Sequence, residues 1–192
     1  MKLKEMVLAN RSYRGYDHSV KFSKEQLAEL VDLARFCPSS VNMQPLRFKL
    51  VWEEAEVARL QKETHWAKGL PELQLPHPGK EPTAFIVICQ DDRISENLNR
   101  FQRDVGIVAQ TMLLGAVEAG FGGIMIGNFT AGSVRETLAL DEHLHPLLIV
   151  AFGKPDEEII LTEVGEDGRT GYYRDEQDRH YVPKRKLEDL II

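Results

Sequence analysis

Asp104-Val105-Gly106-Ile107-Val108-Ala109-Gln110-Thr111-Met112-Leu113-Leu114-Gly115-Ala116-Val117-Glu118 carries no charge between its two acidic ends. The flanking pattern predicts a helix over Phe101 to Gly120, and a helix without a charged face has to bury nearly its whole circumference. One small domain can hold such a helix centrally, and a subunit interface would cover it more completely. It is too short for a membrane span, and Gln110 and Thr111 interrupt it.

Around this helix the pattern predicts mixed elements. Gly122 to Gly127 and Pro146 to Phe152 read as apolar strands, with a short helix from Ser133 to Leu140 between them. Ala84 to Cys89 reads as a buried strand, and Arg47 to Trp52 alternates well enough for another. Ser23 opens a helix, with Gln26 at capping-box spacing and Leu27, Leu30, Val31 and Ala34 on one face. Leu3 to Ala9 is a shorter helix, and Glu53 to Thr64 an exposed, charged one. Gly69 to Pro82 holds Pro71, Pro76, Pro78, Gly79 and Pro82, the composition of a loop. The tail is polar as far as His180, and Leu187 to Ile191 closes it as a short helix. Helices and strands mixed throughout give an α+β or α/β class.

The 192 residues fit one domain, with a hydrophobic fraction of 43% and a charged fraction of 28%. A net charge of −6 with no long basic stretch argues against nucleic acid or an anionic membrane as partner. An anionic small molecule would need a local cluster of cations. The N-terminus lacks a signal-peptide core, and two cysteines, Cys37 and Cys89, make no disulfide framework, so a reducing cytoplasm is expected. The sequon Asn128-Phe129-Thr130 is then expected to be unused.

Four segments could carry chemistry. Arg11-Ser12-Tyr13-Arg14 places two guanidinium groups and a hydroxyl in a turn, which suits a phosphate and polar ring oxygens, or else is a solvated basic turn. Cys37-Pro38-Ser39-Ser40-Val41-Asn42-Met43-Gln44-Pro45 brackets neutral hydrogen-bonding groups between prolines, as a rigid ligand contact or a helix-ending loop. Gly120-Phe121-Gly122-Gly123-Ile124-Met125-Ile126-Gly127 allows close backbone approach to a flat ligand, or is a helix cap running into a strand. It is not a dinucleotide fingerprint, because Met125 stands where the third glycine belongs. Lys184-Arg185-Lys186 could hold a phosphate, or form a charged approach to the last helix. His143 and His145 lack a third ligand nearby, and neither a Gly-x-Ser-x-Gly elbow nor a Walker loop is present.

The order of these segments resembles the FMN-dependent nitroreductase family, in its compact form. The series runs from Arg11-Ser12-x-Arg14 through Ala34-Arg35-Phe36-Cys37-Pro38-Ser39-Ser40-x-Asn42-x-Gln44-Pro45 and Arg47-Phe48. It continues with Asp104 to Leu114, Ala119-Gly120-Phe121-Gly122, Leu148 to Pro155 and Pro183-Lys184-Arg185. Two positions depart from it: Asn10 precedes Arg11 where many relatives have a second arginine, and Leu46 replaces an aromatic residue after Gln-Pro.

The resemblance implies an α+β, three-layer α/β/α fold with a mixed, mainly antiparallel sheet, built as an intertwined homodimer from a single domain of residues 1–192. Residues 66–82 would be a lid or variable loop, and 165–192 a C-terminal extension. It further implies bound FMN. Arg11, Ser12 and Arg14 would contact it from one subunit, with Lys184 and Arg185 or Lys186 at the phosphate. Ser39, Ser40, Asn42 and Gln44 would approach from the other subunit, and the backbone of Gly123 and Ile124 would lie against the ring. The implied activity passes hydride from NADH or NADPH through the flavin to a small-molecule acceptor such as a nitroaromatic or quinone. No side chain need be a dedicated acid, and Arg14 would stabilise the reduced flavin. The alternatives are a dehalogenase or flavin-fragmenting relative, and a non-catalytic FMN-binding or redox-sensing module.

Overall fold

Strand β3 (Ala84–Asp91) is buried along its whole length, as the apolar run Ala84 to Cys89 requires when both faces are covered. In the computed structural model, which describes residues 1–192, it pairs antiparallel with β2 (Leu46–Val51) and with β5 (Leu144–Pro155). β5 also carries β4 (Gly122–Ile126) and the short β1 (Tyr16–Asp17), both antiparallel. Every pairing in this five-stranded sheet is antiparallel.

The two-residue period of β3 sends alternate side chains into two separate cores. Ala84, Ile86 and Ile88 meet α2 (Lys24–Ala34) and α4 (Gln102–Glu118) through Leu27, Leu30, Ala109, Met112 and Ala116. Phe85, Val87 and Cys89 meet α3 (Glu54–Lys62) and α5 (Ala131–Thr137) through Val57, Leu60 and Val134. The result is the expected three-layer α/β/α arrangement, with α1 (Leu3–Ala9) lying against α4.

Local signals place the helix ends. The Gln26 amide donates to Ser23 Oγ at 3.2 Å and the Ser23 amide to Gln26 Oε1 at 2.8 Å, completing the capping box. At the end of α4 the Gly120 and Phe121 amides return to the carbonyls of Val117 and Ala116 at 3.0 and 2.8 Å, a Schellman turn. That turn needs Gly120 at φ +81° and delivers the chain directly into β4.

The structure corrects two expectations. The helix predicted over Ser133–Leu140 starts earlier and ends earlier, at Ala131 and Thr137. The polar tail contains a second sheet, in which β6 (Ile159–Glu163) runs parallel to β8 (His180–Lys184) and β7 (Tyr173–Arg174) antiparallel to it. After β8 only a 3-10 turn forms, over Leu187–Asp189. α4 is not fully covered within the chain: Gly106 and Gln110 are exposed, and Ile107 is 39% exposed. Leu3, Val7 and Leu8 of α1, Leu33 of α2 and Phe36 are exposed as well.

The 66–82 segment forms no helix or strand, yet Leu70 and Leu75 are buried in it. The Gly69 amide donates to Tyr172 Oη at 3.2 Å, and His77 Nε2 lies 3.1 Å from Asp178 Oδ2. The loop is therefore tied to the C-terminal extension.

Close packing between α4 and the sheet depends on Gly123. A Cβ there would stand 2.3 Å from the Ala151 carbonyl oxygen and 2.7 Å from Leu113 Cδ2. Gly123→Ala is expected to lose about 1–3 kcal/mol of stability, as overpacking does. Gly132→Ala in α5, whose Cβ would meet nothing within 4 Å, is expected to gain up to about 1 kcal/mol. Urea midpoints measured on the two variants compare them directly.

Candidate active site

The first cluster grows from the turn after α1. Ser12 forms a parallel bridge with Gly123, and the Tyr13 amide donates to the Gly123 carbonyl at 3.3 Å, which ties the turn to β4. Arg11 folds back on the helix end, its Nε donating to Asn10 O at 2.6 Å and a terminal nitrogen to Val7 O at 2.8 Å, where a cation suits the helix dipole. Arg14 is buried, and its guanidinium donates to Ser12 O at 3.1 Å.

Glu157 determines how Arg14 sits. Its carboxylate accepts from the Arg14 main-chain amide and from the Arg174 guanidinium, not from the Arg14 guanidinium. Tyr172 lies under that guanidinium, with the ring centroid 4.8 Å away. Burial pushes the Arg14 guanidinium below its ordinary value, while Tyr172 and Glu157 oppose the shift and Arg174 adds to it. Arginine stays charged under such a shift.

These groups open on a cavity of about 250 Å³, lined by Arg11, Ser12, Arg14, Tyr172, His180 and Lys184. Strand alternation puts His180 and Lys184 on the same side of β8. Arg14 Nε and both ring nitrogens of His180 are buried without a hydrogen-bond partner. Buried polar atoms rarely go unpartnered unless a ligand or water completes them. The donors offered are guanidinium, ammonium, hydroxyl and imidazole, a set that fits a phosphate.

The second cluster hangs from α4. Asp104 is buried in its first turn and accepts from Ser39 Oγ at 2.7 Å and from the Ser40 amide at 3.0 Å. Ser39 Oγ accepts in turn from the Gln44 amide at 3.0 Å, and Gln44 Nε2 donates to Asn42 Oδ1 at 3.0 Å. Val41, Asn42 and Gln44 all hold positive φ, at 50°, 54° and 51°. Three non-glycine residues in that region are costly, and such strain gathers at ligand sites. Ser40, Asn42 and Gln44 are exposed, and Ser39 and Gln44 border a cavity of about 480 Å³ with Cys37, Leu46, Phe48 and Val108.

The candidate residues thus fall into two groups within one chain. Arg11, Ser12, Arg14 and Lys184 share one cavity, with Gly123 bonded to its rim, and Ser39, Ser40, Asn42 and Gln44 form the other group. The two cavities have no lining residue in common. Arg185 and Lys186 are exposed and line neither. Gly123 and Ile124 are buried, and contacts inside the chain already account for the missing side chain of Gly123. Sequence reasoning missed Glu157, Tyr172, Arg174 and His180, whose importance arises from contacts between distant segments. The cluster Tyr172-Tyr173-Arg174 in an otherwise polar tail was the available signal.

The chain belongs to the Nitroreductase family, whose model matches residues 7–154. A Bacillus subtilis protein named as an NAD(P)H nitroreductase, YdgI, is 24% identical over 185 residues, covering 80% of this chain and 88% of its own. A structure from Exiguobacterium sibiricum, titled a nitroreductase in complex with FMN, superposes with a TM-score of 0.68 at 22% identity, covering 82% of this chain and 90% of that one. A structure from Staphylococcus epidermidis, titled an NAD(P)H:FMN oxidoreductase, covers 100% of this chain and 95% of its own, with a TM-score of 0.70 at 19% identity. No helix is long and apolar enough to cross a membrane.

Asp104→Ala would leave the Ser39 hydroxyl and the Ser40 amide without their charged acceptor. A loss of about 2–3 kcal/mol is expected, with amide exchange at Ser40 and Gln44 accelerating more than in β3.

Proposed function

We propose that the chain is an FMN-dependent NAD(P)H oxidoreductase acting as a homodimer. The observation that carries this reading is the small cavity where Arg11, Arg14 and Lys184 converge without a carboxylate partner. An overall charge of −6 makes such a local cationic cluster informative. The neutral donors and acceptors at Ser39, Ser40, Asn42 and Gln44 suit a ribityl chain and a polar ring edge, and in this reading they come from the partner subunit. The open, uncharged stripe of α4 around Ile107 and Gln110 is the surface such a partner would cover.

Bound FMN would supply the two-electron chemistry of ping-pong turnover between NADH or NADPH and a nitroaromatic or quinone. Arg11, Ser12 and Lys184 would hold the phosphate, and Arg185 and Lys186 lie outside that cavity. Arg14 places a buried cation beside the negative charge that accompanies reduction, and burial strengthens that interaction. Tyr172 and Glu157 keep it in position. Residues 66–82, bonded to Tyr172 beside Arg14, are assigned the choice of oxidant.

Purified protein incubated with FMN is expected to turn yellow, bleach with NADH or NADPH, and regain colour with a nitroaromatic or quinone. Bound flavin that neither nicotinamide reduces would point instead to a binding or sensing module, and failure to take up FMN would end the flavin reading. Arg14→Gln is expected to lower kcat/KM about a hundredfold while FMN stays bound. Ile107→Glu is expected to give a monomer in sedimentation and to weaken FMN binding. A monomeric variant with unchanged FMN affinity would show that one subunit holds the cofactor alone.

A further inference from the structure

His180 is buried in the cationic cavity, yet its ring takes no part in the hydrogen bonding of the chain. The main-chain amide donates to Glu158 O at 2.9 Å. The residue is 1% exposed, and its ring stands edge-on to Tyr172 with centroids 5.3 Å apart. Neither ring nitrogen has a donor or acceptor within reach.

The charged groups around it explain its protonation state. Burial, with Arg14 and Arg174 adding to it and Asp178 opposing, pushes the ring down to about 4. At neutral pH it is an uncharged imidazole with one N–H to give and one lone pair. Arg11, Arg14 and Lys184 share the cavity, and the Tyr172 ring forms one wall. Arg174 faces Glu157 and Asp178 and is neutralised by them. An anion held by Arg11, Ser12 and Lys184 therefore meets a lining residue whose neutral N–H is unused.

We propose that His180 is a direct ligand of the phosphate monoester bound in the Arg11–Arg14–Lys184 cavity, donating a ring N–H to a phosphate oxygen. This rests on reading the cavity as the phosphate end of the FMN site. A phosphate offers more acceptor positions than Arg11, Ser12 and Lys184 need fill, so a further donor has an oxygen to serve. The opposing possibility is that cavity water alone satisfies the imidazole, in which case the ring is indifferent to phosphate.

The test uses the full chain freed of flavin, titrated with FMN and with riboflavin, which lacks the phosphate. His180→Leu is expected to weaken FMN roughly tenfold to a hundredfold, the range for a hydrogen bond to a charged group, and to leave riboflavin unchanged. His180→Gln, which retains a donor, is expected to stay within about threefold of wild type. In the wild-type protein the ring ¹⁵N resonances of His180 are expected to shift when inorganic phosphate is added, a reading that does not need the variants to fold. Equal FMN affinity in wild type and His180→Leu, or equal loss for both flavins, overturns the proposal, as does a ring unmoved by phosphate. Wild-type protein that takes up neither flavin, but whose His180 ring responds to phosphate, would keep the oxyanion ligand and remove the flavin function. FMN bound tightly but indifferently to His180→Leu would do the reverse.

Discussion

Everything in this fold is arranged around one constraint, the burial of a helix that has no charged side. α4 lies on the sheet with Ala109, Met112 and Ala116 against β3 and β5. It can lie so close to its neighbours because Gly115 and Gly123 leave room where a Cβ would collide. Both candidate half-sites hang from its ends. At the N-terminus Asp104 clamps the strained 39–44 loop through Ser39 and Ser40. At the C-terminus the Gly120 turn feeds β4, whose Gly123 pairs with Ser12 and fixes the arginine turn. The rigid core therefore sets the spacing of two loops that would otherwise be independent, and precision in a ligand site comes from such supports.

Electrostatics within the first half-site follow from which partner Glu157 takes. It binds the Arg14 amide and the Arg174 guanidinium, while Asp178 accepts from Arg174 as well. The hydrogen bonds of Arg11 and Arg14 go to main-chain carbonyls. The carboxylates neutralise Arg174, which does not line the cavity, and spare the cations that do. Ion pairing of the cavity arginines would have stabilised the lone chain little and obstructed an anion.

Most of the core could be read from the sequence because its signals are local or periodic. The Ser23–Gln26 box, the apolar run of β3 and the uncharged span of α4 each stand where the residues placed them. The second sheet could not be read this way. β6 to β8 are short, and the ion pair Arg174–Glu157 and the bonds of Asp175 to Arg179 and Tyr181 that tie them join residues without periodic spacing. The same limit applies to the site. Arg11, Ser12 and Arg14 announce themselves in one short turn, and the Lys184-Arg185-Lys186 run stands out in an acidic chain without showing which of the three lines the cavity. His180 and Tyr172 acquire meaning only when the tail folds back on residues far earlier in sequence. The glycines of β4 mislead in the other direction, because Gly122 would collide with Tyr13, and Gly123 with Ala151, if either carried a side chain.

The incompletely covered face of α4 and the division of the site belong to the same physical problem. A single chain leaves Ile107 and Leu33 facing solvent, along with α1 residues Leu3, Val7 and Leu8. It also leaves the Gln44 and Asn42 amides, bonded to each other, open to solvent. In the proposed dimer one surface resolves both, because a second subunit covers the apolar stripe and brings its loop to the first subunit's cations. A ligand gripped from both sides then binds the pair more tightly than the lone chain. By linkage it strengthens the association by the same factor by which association strengthens its own binding. In that dimer the uncharged span of α4 would couple assembly to cofactor occupancy.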